Sequence, residues 1–536
     1  MEAECYPISI LPHTSRLFQD YVQSEEPLAP FYTSAPTGRQ WMREGRELTA
    51  ERRAQIADLL DRQNAQYSAG EDTAANIQRL RAGASAVVTG QQVTLFGGPL
   101  YVLLKAATAV VRAREATEAG FDTVPVFWLA SEDHDFAEVA QVSLATPDGL
   151  AALRLAPPPA APVPVGGIPL GPHIQELLDE ATGLLGDSDA AILLRECYRA
   201  GETLAGAFGR LIARVFAPWG LIVVDAAARE FHALGARVFE QAICEAEALH
   251  TALLARDREL TGQGYHAQVA VTEQSGLLFL LDEMTGARVP LRRQAKVGST
   301  VWKAAARQYE SNELLEILKV APERFSPNAL LRPVFQDAIL PTSAYIGGPA
   351  EVAYFAQSAV LYNALLGRAT AVLPRLSVTL ASANVIAAMK RYDVPLPDAM
   401  TSAGALALRL GARAMPVEGK RKLASAGNAL DAELTAVTEW MTAMDAGLGR
   451  SAMTAASKMR YQMNRLRRMA ARFQMQKEAS LFRHAQAITT AVYPEGHLQE
   501  RVVAGISCLA AYGLELPARL MEAAVNPCSG HRLITL

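Results

Sequence analysis

The chain has 536 residues, half of them hydrophobic and a fifth charged, so it is too long for one hydrophobic core and too apolar for wholesale disorder. Its 51 basic and 55 acidic side chains leave a formal net charge of −4, which excludes a protein built mainly to grip phosphate backbones, so no nucleic-acid partner is expected. Five cysteines, Cys5, Cys197, Cys244, Cys508 and Cys528, are scattered without C-x-x-C spacing. That pattern predicts neither a disulfide framework nor a cysteine-rich zinc site, and it suits a reducing compartment. The opening MEAECYPISI lacks a basic stretch followed by an apolar core, so no signal peptide is expected and the location is read as cytoplasmic.

Residues 1–85 read as a mostly helical segment packing on an α/β core. From Ala86 the pattern changes to short apolar strands between amphipathic helices. Ala86 to Thr89 reads as a buried strand, Gly90-Gln91-Gln92 opens a loop, and Gly97-Gly98-Pro99 leads into a helix from Leu100 to Ala119. Val124 to Leu129 is the next strand, which completes a βαβ unit with parallel strands. Residues 155–175, LAPPPAAPVPVGGIPLGPHIQ, carry no charge and are long enough to span a membrane. Their prolines remove helix donors throughout, so they predict an extended surface connector and no membrane partner. Further strands are predicted at Leu221–Val224, Leu277–Leu281, Ala344–Ile346 and Ala371–Leu373, with helices at Thr203–Phe216 and from Ala226 to about Ala255. This is an α/β, Rossmann-like parallel core with connecting inserts over residues 86–385.

LFGGPLYVLLKAATAV, starting at Leu95, echoes YIGGPAEVAYFAQSAV, starting at Tyr345. Either Gly-Gly-Pro is simply a good way to start a helix, or two helix N-termini point at one anionic ligand. Residues 386–490 are helical. Leu423, Leu430, Val437 and Met444 recur at sevens, interleaved with Leu434, Met441 and Leu448. Beyond a break at Gly447–Gly449, Met459, Met463, Leu466, Ala470 and Phe473 continue the seam. An antiparallel coiled-coil arm is expected, closed either on its own core or by a second chain as a homodimer. Residues 491–536 read as a tail returning to the core.

Chemistry concentrates where predicted strands end. Glu132, Asp133, His134, Asp135 and Glu138 follow the second strand, at the position where open α/β sheets bind ligands. So many carboxylates need a cation, whether Mg²⁺ on a nucleotide, a ligand amine or an arginine. His134 is a candidate general base. Thr89, Gly90, Gln91 and Gln92 form neither a Walker A loop nor a G-x-G-x-x-G fingerprint, but they offer close backbone approach and uncharged amides. Arg332 and Arg375, beside predicted strand ends or turns, suit carboxylate or phosphate. No set of residues makes a dedicated metal site.

Taken in order, TGQQVTLFGGPLYVLLKA, PVFWLASEDHDFAEV, GYHAQ, LRPVFQDAILPTSAYIGGPAEVAYF, VLPRLS and YPEGHLQER resemble the BshC family of bacillithiol biosynthesis. The match runs from residue 89 to residue 501. The resemblance implies a Rossmann-like core, a coiled coil contributing to a dimer, and a ligase joining the carboxyl group of cysteine to the amine of glucosaminyl-malate. ATP with Mg²⁺ is the expected activator, although HIGH-type and KMSKS-type signatures are absent. On this reading Thr89, Gly90, Gln91 and Gln92, with Gly98 and Gly348, surround the activated carboxyl group or its phosphate. Glu132, Asp133, His134 and Asp135 handle amines or metal, and His134 takes the amine's proton. Arg332 and Arg375 hold the malate carboxylates, and Glu351 faces the same crevice. His266, Tyr345, Gly347, Gln499 and Arg501, all in matching segments, join the binding site. A non-catalytic metabolite- or nucleotide-binding scaffold, or a nucleotidyltransferase acting on a small acid, remains open on the residues alone.

Overall fold

The computed structural model describes residues 3–296, 299–525 and 528–536. The chain divides into two units, one of Met1–Val378 with Glu500–Arg532 and one of Thr379–Gln499 with Leu533–Leu536. The boundary thus falls a few residues before the expected 385. Of the tail expected over residues 491–536, Glu500 to Arg532 belongs with the first unit, while 491–499 and Leu533–Leu536 belong with the second.

The first unit is organised by a five-stranded parallel sheet. Its strands are β1 (Ser85–Gln92), β2 (Thr123–Ala130), β3 (Ile222–Asp225), β7 (Thr342–Gly347) and β8 (Ala371–Pro374), in the spatial order β8-β7-β1-β2-β3. Three other strands, β4 (Leu278–Leu281), β5 (Arg288–Pro290) and β6 (Phe325–Pro327), form a separate antiparallel sheet ordered β6-β4-β5. The strand predicted at Leu277–Leu281 therefore exists but does not extend the parallel series. Its apolar run is that of a packed strand, and periodicity alone does not say which sheet it joins.

Along β2, Val124, Val126, Phe127, Trp128 and Leu129 are all buried, as a parallel strand covered on both faces requires. Helix α1 (Tyr101–Glu118) connects β1 to β2 and buries Val102 to Val111 without interruption. After β1 the chain builds outward through β2 and β3, and it later returns to the other side of β1 as β7 and β8. The order therefore reverses between β1 and β7, which opens a crevice beyond their carboxyl ends. Helices α2 (Leu204–Val215) and α3 (Arg229–Cys244), the short α4 (Arg332–Ile339) and α5 (Pro349–Leu366) are among those that cover this unit. The single helix expected from Ala226 breaks at Glu245, where Ala246–Gly262 begins a second one.

Two further expectations change. The proline-rich segment is not only a surface connector, because Val165 and Leu170 are buried. The Val165 N–H donates to the Asp133 carbonyl at 2.7 Å and the Gly166 N–H to the Ser131 carbonyl at 2.8 Å. Proline-rich chain thus props the acidic loop that follows β2. Cys5 and Cys528 form a disulfide across 523 residues of sequence. Linear spacing gave no sign of it, because only the fold brings the two ends together.

In the second unit, α6 (Ala403–Ala414), α7 (Val417–Met444) and α8 (Ala446–Lys477) are the long elements. The turn lies at Asp445, whose carboxylate accepts the N–H groups of Gly447 and Leu448, rather than at the glycines themselves. Arg460 pairs with Asp431 at 2.8 Å, so α7 and α8 run antiparallel. Their contact is lined by small buried residues, Gly427, Gly449, Ala452 and Ala456, which allow close helix approach. Leu423, Leu430, Leu434 and Met441 are half-buried, while Val437, Trp440, Met444, Met459, Leu466 and Phe473 are exposed.

The packing of α3 on α4 gives a direct check of the core. A Cβ added at Gly235 would lie 2.1 Å from the Phe335 ring, and Phe335 itself is stacked on Phe239. Gly235→Ala is expected to cost about 1–3 kcal/mol through overpacking, read as a lower urea midpoint at an unchanged m-value.

Candidate active site

The crevice between β1 and β7 opens into a cavity of about 700 Å³, within the range of small-molecule sites. Its floor is made by the ends of β1 and β2. Gly90 is required there, because a Cβ would stand 2.8 Å from the Trp128 carbonyl oxygen. With Gln91 and Gln92 it lines the cavity, and the acidic loop contributes Glu132, Asp133, His134 and, on the exposed rim, Glu138.

The side chain that ties these pieces together is Lys105, one turn into α1 and fully buried. Its ammonium donates to the Gly90 carbonyl at 2.8 Å and to Gln91 Oε1 at 2.9 Å, and it pairs with Glu351 Oε2 at 2.6 Å. Three acceptors meet its three protons. Glu351 is equally saturated, accepting the Gly348 N–H at 2.8 Å and the Tyr345 hydroxyl at 2.6 Å. Burial works against the charge on Glu351, but Lys105 and these donors outweigh it and hold its carboxyl below the usual range.

Arginines also line the cavity. Arg332 donates to Tyr354 Oη at 2.9 Å and to Gln336 Oε1 at 3.1 Å, with Tyr345 Oη at 3.4 Å. It therefore meets neutral oxygens and keeps its charge available. Arg501 stands exposed at the rim and makes no ion pair among the described residues. Arg375 differs, because Glu500 neutralises it through two contacts of 2.6 and 3.1 Å inside the core. Arg288, on β5, meets the acidic loop itself, with Nη1 3.0 Å from His134 Nδ1 and 3.5 Å from Asp133 Oδ1, and its guanidinium lies 3.7 Å from the Phe279 ring centre.

Of the residues expected from sequence, Gly90, Gln91, Gln92, Glu132, Asp133, His134, Arg332, Tyr345, Gly348, Glu351, Arg375 and Arg501 line this one cavity. Six others do not. Thr89 is buried and donates to the Ile346 carbonyl at 3.0 Å, which joins β1 to β7. Asp135 is exposed, and its carboxylate caps the short helix Phe136–Val139. Gly98 packs against Thr94 and Val102, so of the two Gly-Gly-Pro turns only the second, at Gly348, addresses the cavity. The backbone of Gly347 is spent on the Arg375 N–H. His266 is exposed and meets Gln268. Gln499 belongs to the second unit, where its amide bridges Leu380 and Ala491.

Sequence reasoning missed Tyr101, Lys105, Arg288, Asn328 and Tyr354, which also line the cavity. Lys105 had a signal, because a lone charge in the apolar run of α1 needs a partner. Arg288 had none, since its place depends on the separate antiparallel sheet. Also missed was His232 on α3, buried beneath the loop with its Nε2 2.7 Å from Glu132 Oε1. Burial disfavours its charge, yet Glu132 outweighs burial and raises the imidazole pKa.

Known proteins give this geometry a family. A model described as the N-terminal Rossmann-like domain of bacillithiol biosynthesis BshC matches residues 1–376, and one for its C-terminal coiled-coil domain matches residues 378–536. Proteins named "Putative cysteine ligase BshC" from Koribacter versatilis and Solibacter usitatus are 42% and 36% identical, each over the full length of both chains. One of the same name from Salinibacter ruber is 31% identical over 97% of this chain and 96% of its own.

The wall behind Arg375 carries a pH dependence. Ser377 Oγ links Glu500 to His531, and burial lowers the His531 pKa from 6.5 to about 4. Below about pH 6.5 the unfolded chain takes up this proton while the folded chain does not until about pH 4. Acidification through that window therefore favours unfolding, by up to about 1.4 kcal/mol per pH unit, and above it the residue contributes nothing. His531→Asn is expected to flatten this limb in urea unfolding curves collected from pH 7 to 4.

Proposed function

We propose that this chain, which belongs to the BshC family of bacillithiol biosynthesis, is a ligase that joins the carboxyl group of cysteine to the amine of glucosaminyl-malate as an amide. The observation that carries this reading is one cavity lined both by a carboxylate that is only partly paired, Glu132, and by arginines that no carboxylate pairs among the described residues, Arg332 and Arg501. Glu132 suits an amine, while Arg332 and Arg501 suit carboxylates or phosphates. Both substrates are small and carry both kinds of group.

A carboxylate does not condense with an amine in water without activation, and a nucleoside triphosphate, ATP with Mg²⁺, is the activator we infer. Arg332 and Arg501 are the features suited to its phosphates. Among the described residues no three potential metal ligands converge, and both oxygens of Asp133 are engaged, by Gln92 and by the His134 N–H. The Mg²⁺ would therefore arrive on the nucleotide, held mainly by phosphate oxygens. Among the described residues no helix is long and apolar enough to cross a membrane.

The reading is tested by incubating the protein with glucosaminyl-malate, cysteine and ATP–Mg²⁺ and measuring the amide product by mass spectrometry. Product that depends on all three supports it. Nucleotide bound or cleaved without amide would replace it by a scaffold or a nucleotidyltransferase. Arg501→Ala, at an exposed position, is expected to raise the KM for glucosaminyl-malate about tenfold or more, the worth of a charge-assisted contact, with kcat little changed.

The second unit supports a homodimer in the same proposal. Trp440, Met444 and Phe473 are 63%, 61% and 67% exposed on α7 and α8, and the hairpin's small-residue seam leaves them without intrachain cover. A second copy of this hairpin is the occupant whose apolar periodicity matches. Leu466→Glu with Phe473→Glu is expected to halve the mass measured by light scattering, whereas a wild-type monomer at micromolar concentration would contradict the dimer.

A further inference from the structure

The two histidines of the site are held by partners of opposite kind. Arg288 donates from Nε to Ser326 Oγ at 2.8 Å and from Nη2 to the Pro327 carbonyl at 2.8 Å, and its Nη1 lies 3.0 Å from His134 Nδ1. A guanidinium has no acceptor atom, so His134 Nδ1 must accept, and in the neutral ring the proton sits on Nε2. The alternative proton on Nδ1 would point at Arg288 and reach Asp133 Oδ1 only at 3.5 Å. Held in this way, His134 presents an N–H to the cavity and has no lone pair to offer an amine.

His232 is the reverse case. Its Nδ1 lies 3.3 Å from the Ala228 carbonyl and its Nε2 2.7 Å from Glu132 Oε1. Both partners are acceptors, so the pair holds one proton more than a neutral imidazole and a carboxylate would, with the imidazole donating on both sides. Glu132 Oε2 has no hydrogen-bond partner among the described residues, and the side chain remains 17% exposed in the cavity wall. The other groups within reach are spent. Asp133 uses both oxygens, Glu351 uses both, and Lys105 has no free proton or lone pair. Glu138 stands on the exposed rim, where water competes.

From this pattern we propose that Glu132, positioned by His232, accepts the proton of the attacking amine, and that His134, positioned by Arg288, donates a hydrogen bond to the oxygen that gains charge. The assignment rests on the ligase reading above. In the step itself the amine nitrogen bonds to the activated carboxyl carbon of cysteine. The bond from that carbon to the phosphoryl oxygen breaks, its electron pair leaves with the nucleotide-derived group, and the nitrogen's proton passes to Glu132 Oε2. Two imidazoles thus do separate work because their neighbours force separate protonation states. His232 and Arg288 touch no substrate, and they act through Glu132 and His134.

The test has one arm that needs no substrate and one that does. With ¹⁵N-labelled histidine in the full-length protein, long-range nitrogen–proton spectra assigned by single substitutions are expected to show His134 protonated on Nε2 alone and His232 protonated on both nitrogens. Arg288→Met is expected to release the His134 tautomer. In the ligation assay, Glu132→Gln should lower kcat by about 10²–10⁴. His232→Gln should lower kcat without raising KM. His134→Gln, which keeps an N–H donor, should stay within about tenfold of wild type, while His134→Ala should fall about 10²–10³. A His134 protonated on Nδ1, a His134→Gln as inactive as His134→Ala, or a Glu138→Gln more damaging than Glu132→Gln would each overturn the assignment. If wild type makes no amide, the ligase reading falls and the acceptor role with it, whereas the spectra still decide the protonation pattern.

Discussion

A buried ammonium has to be neutralised where it stands, and much of this site follows from how that is done for Lys105. One nitrogen holds the Gly90 carbonyl at the end of β1, the Gln91 amide beyond it, and Glu351 at the start of α5. From α1, Lys105 thus ties the end of β1 to the start of α5, two elements far apart in sequence and on the two sides of the point where strand order reverses. Burial alone would drive the Lys105 pKa down, and Glu351 opposes that. Removing either partner would strand the other's charge in the core. The pair therefore fixes the spacing of β1 and α5, and with it the width of the cavity.

The rest of the wall is built on the same rule, that a charge inside is either cancelled or aimed. Glu500 cancels Arg375, and Lys105 cancels Glu351. Arg332 is held by phenol and amide oxygens that orient it without removing its charge. Glu132 is half cancelled by His232 and half open to the cavity. What is left uncancelled, part of Glu132 together with Arg332 and Arg501, is what a reaction between an amine and an activated acid needs. Fixed charges of this kind require no reorganisation as the reaction proceeds.

Much of this was legible in the sequence. The βαβ unit from Ala86 to Leu129 could be read from its periodicity, and the acidic cluster could be placed at a strand's carboxyl end, because both depend on local pattern. The antiparallel hairpin was readable for the same reason. Its turn moved to Asp445 because a carboxylate that accepts two N–H groups starts the next helix there, and the glycines continue inside that helix. Contacts that depend on distant segments were not legible. Arg288 meets His134 only through the β4–β5 hairpin, and His232 reaches Glu132 from α3. The neutralisation of Arg375 depends on the returning tail, as does the pairing of Cys5 with Cys528. Motif proximity also misled where a residue's job is local, as with Asp135 at its helix cap and Thr89 in its sheet.

The claim that a mutually dependent ion pair holds the site together is tested most directly by a double-mutant cycle on Lys105 and Glu351, measured as urea unfolding free energy. Lys105→Met and Glu351→Gln are each predicted to cost about 3–5 kcal/mol, because each strands a buried charge, while the double variant loses far less than their sum. If the two losses simply add, the pair is not coupled and the account of the site is wrong.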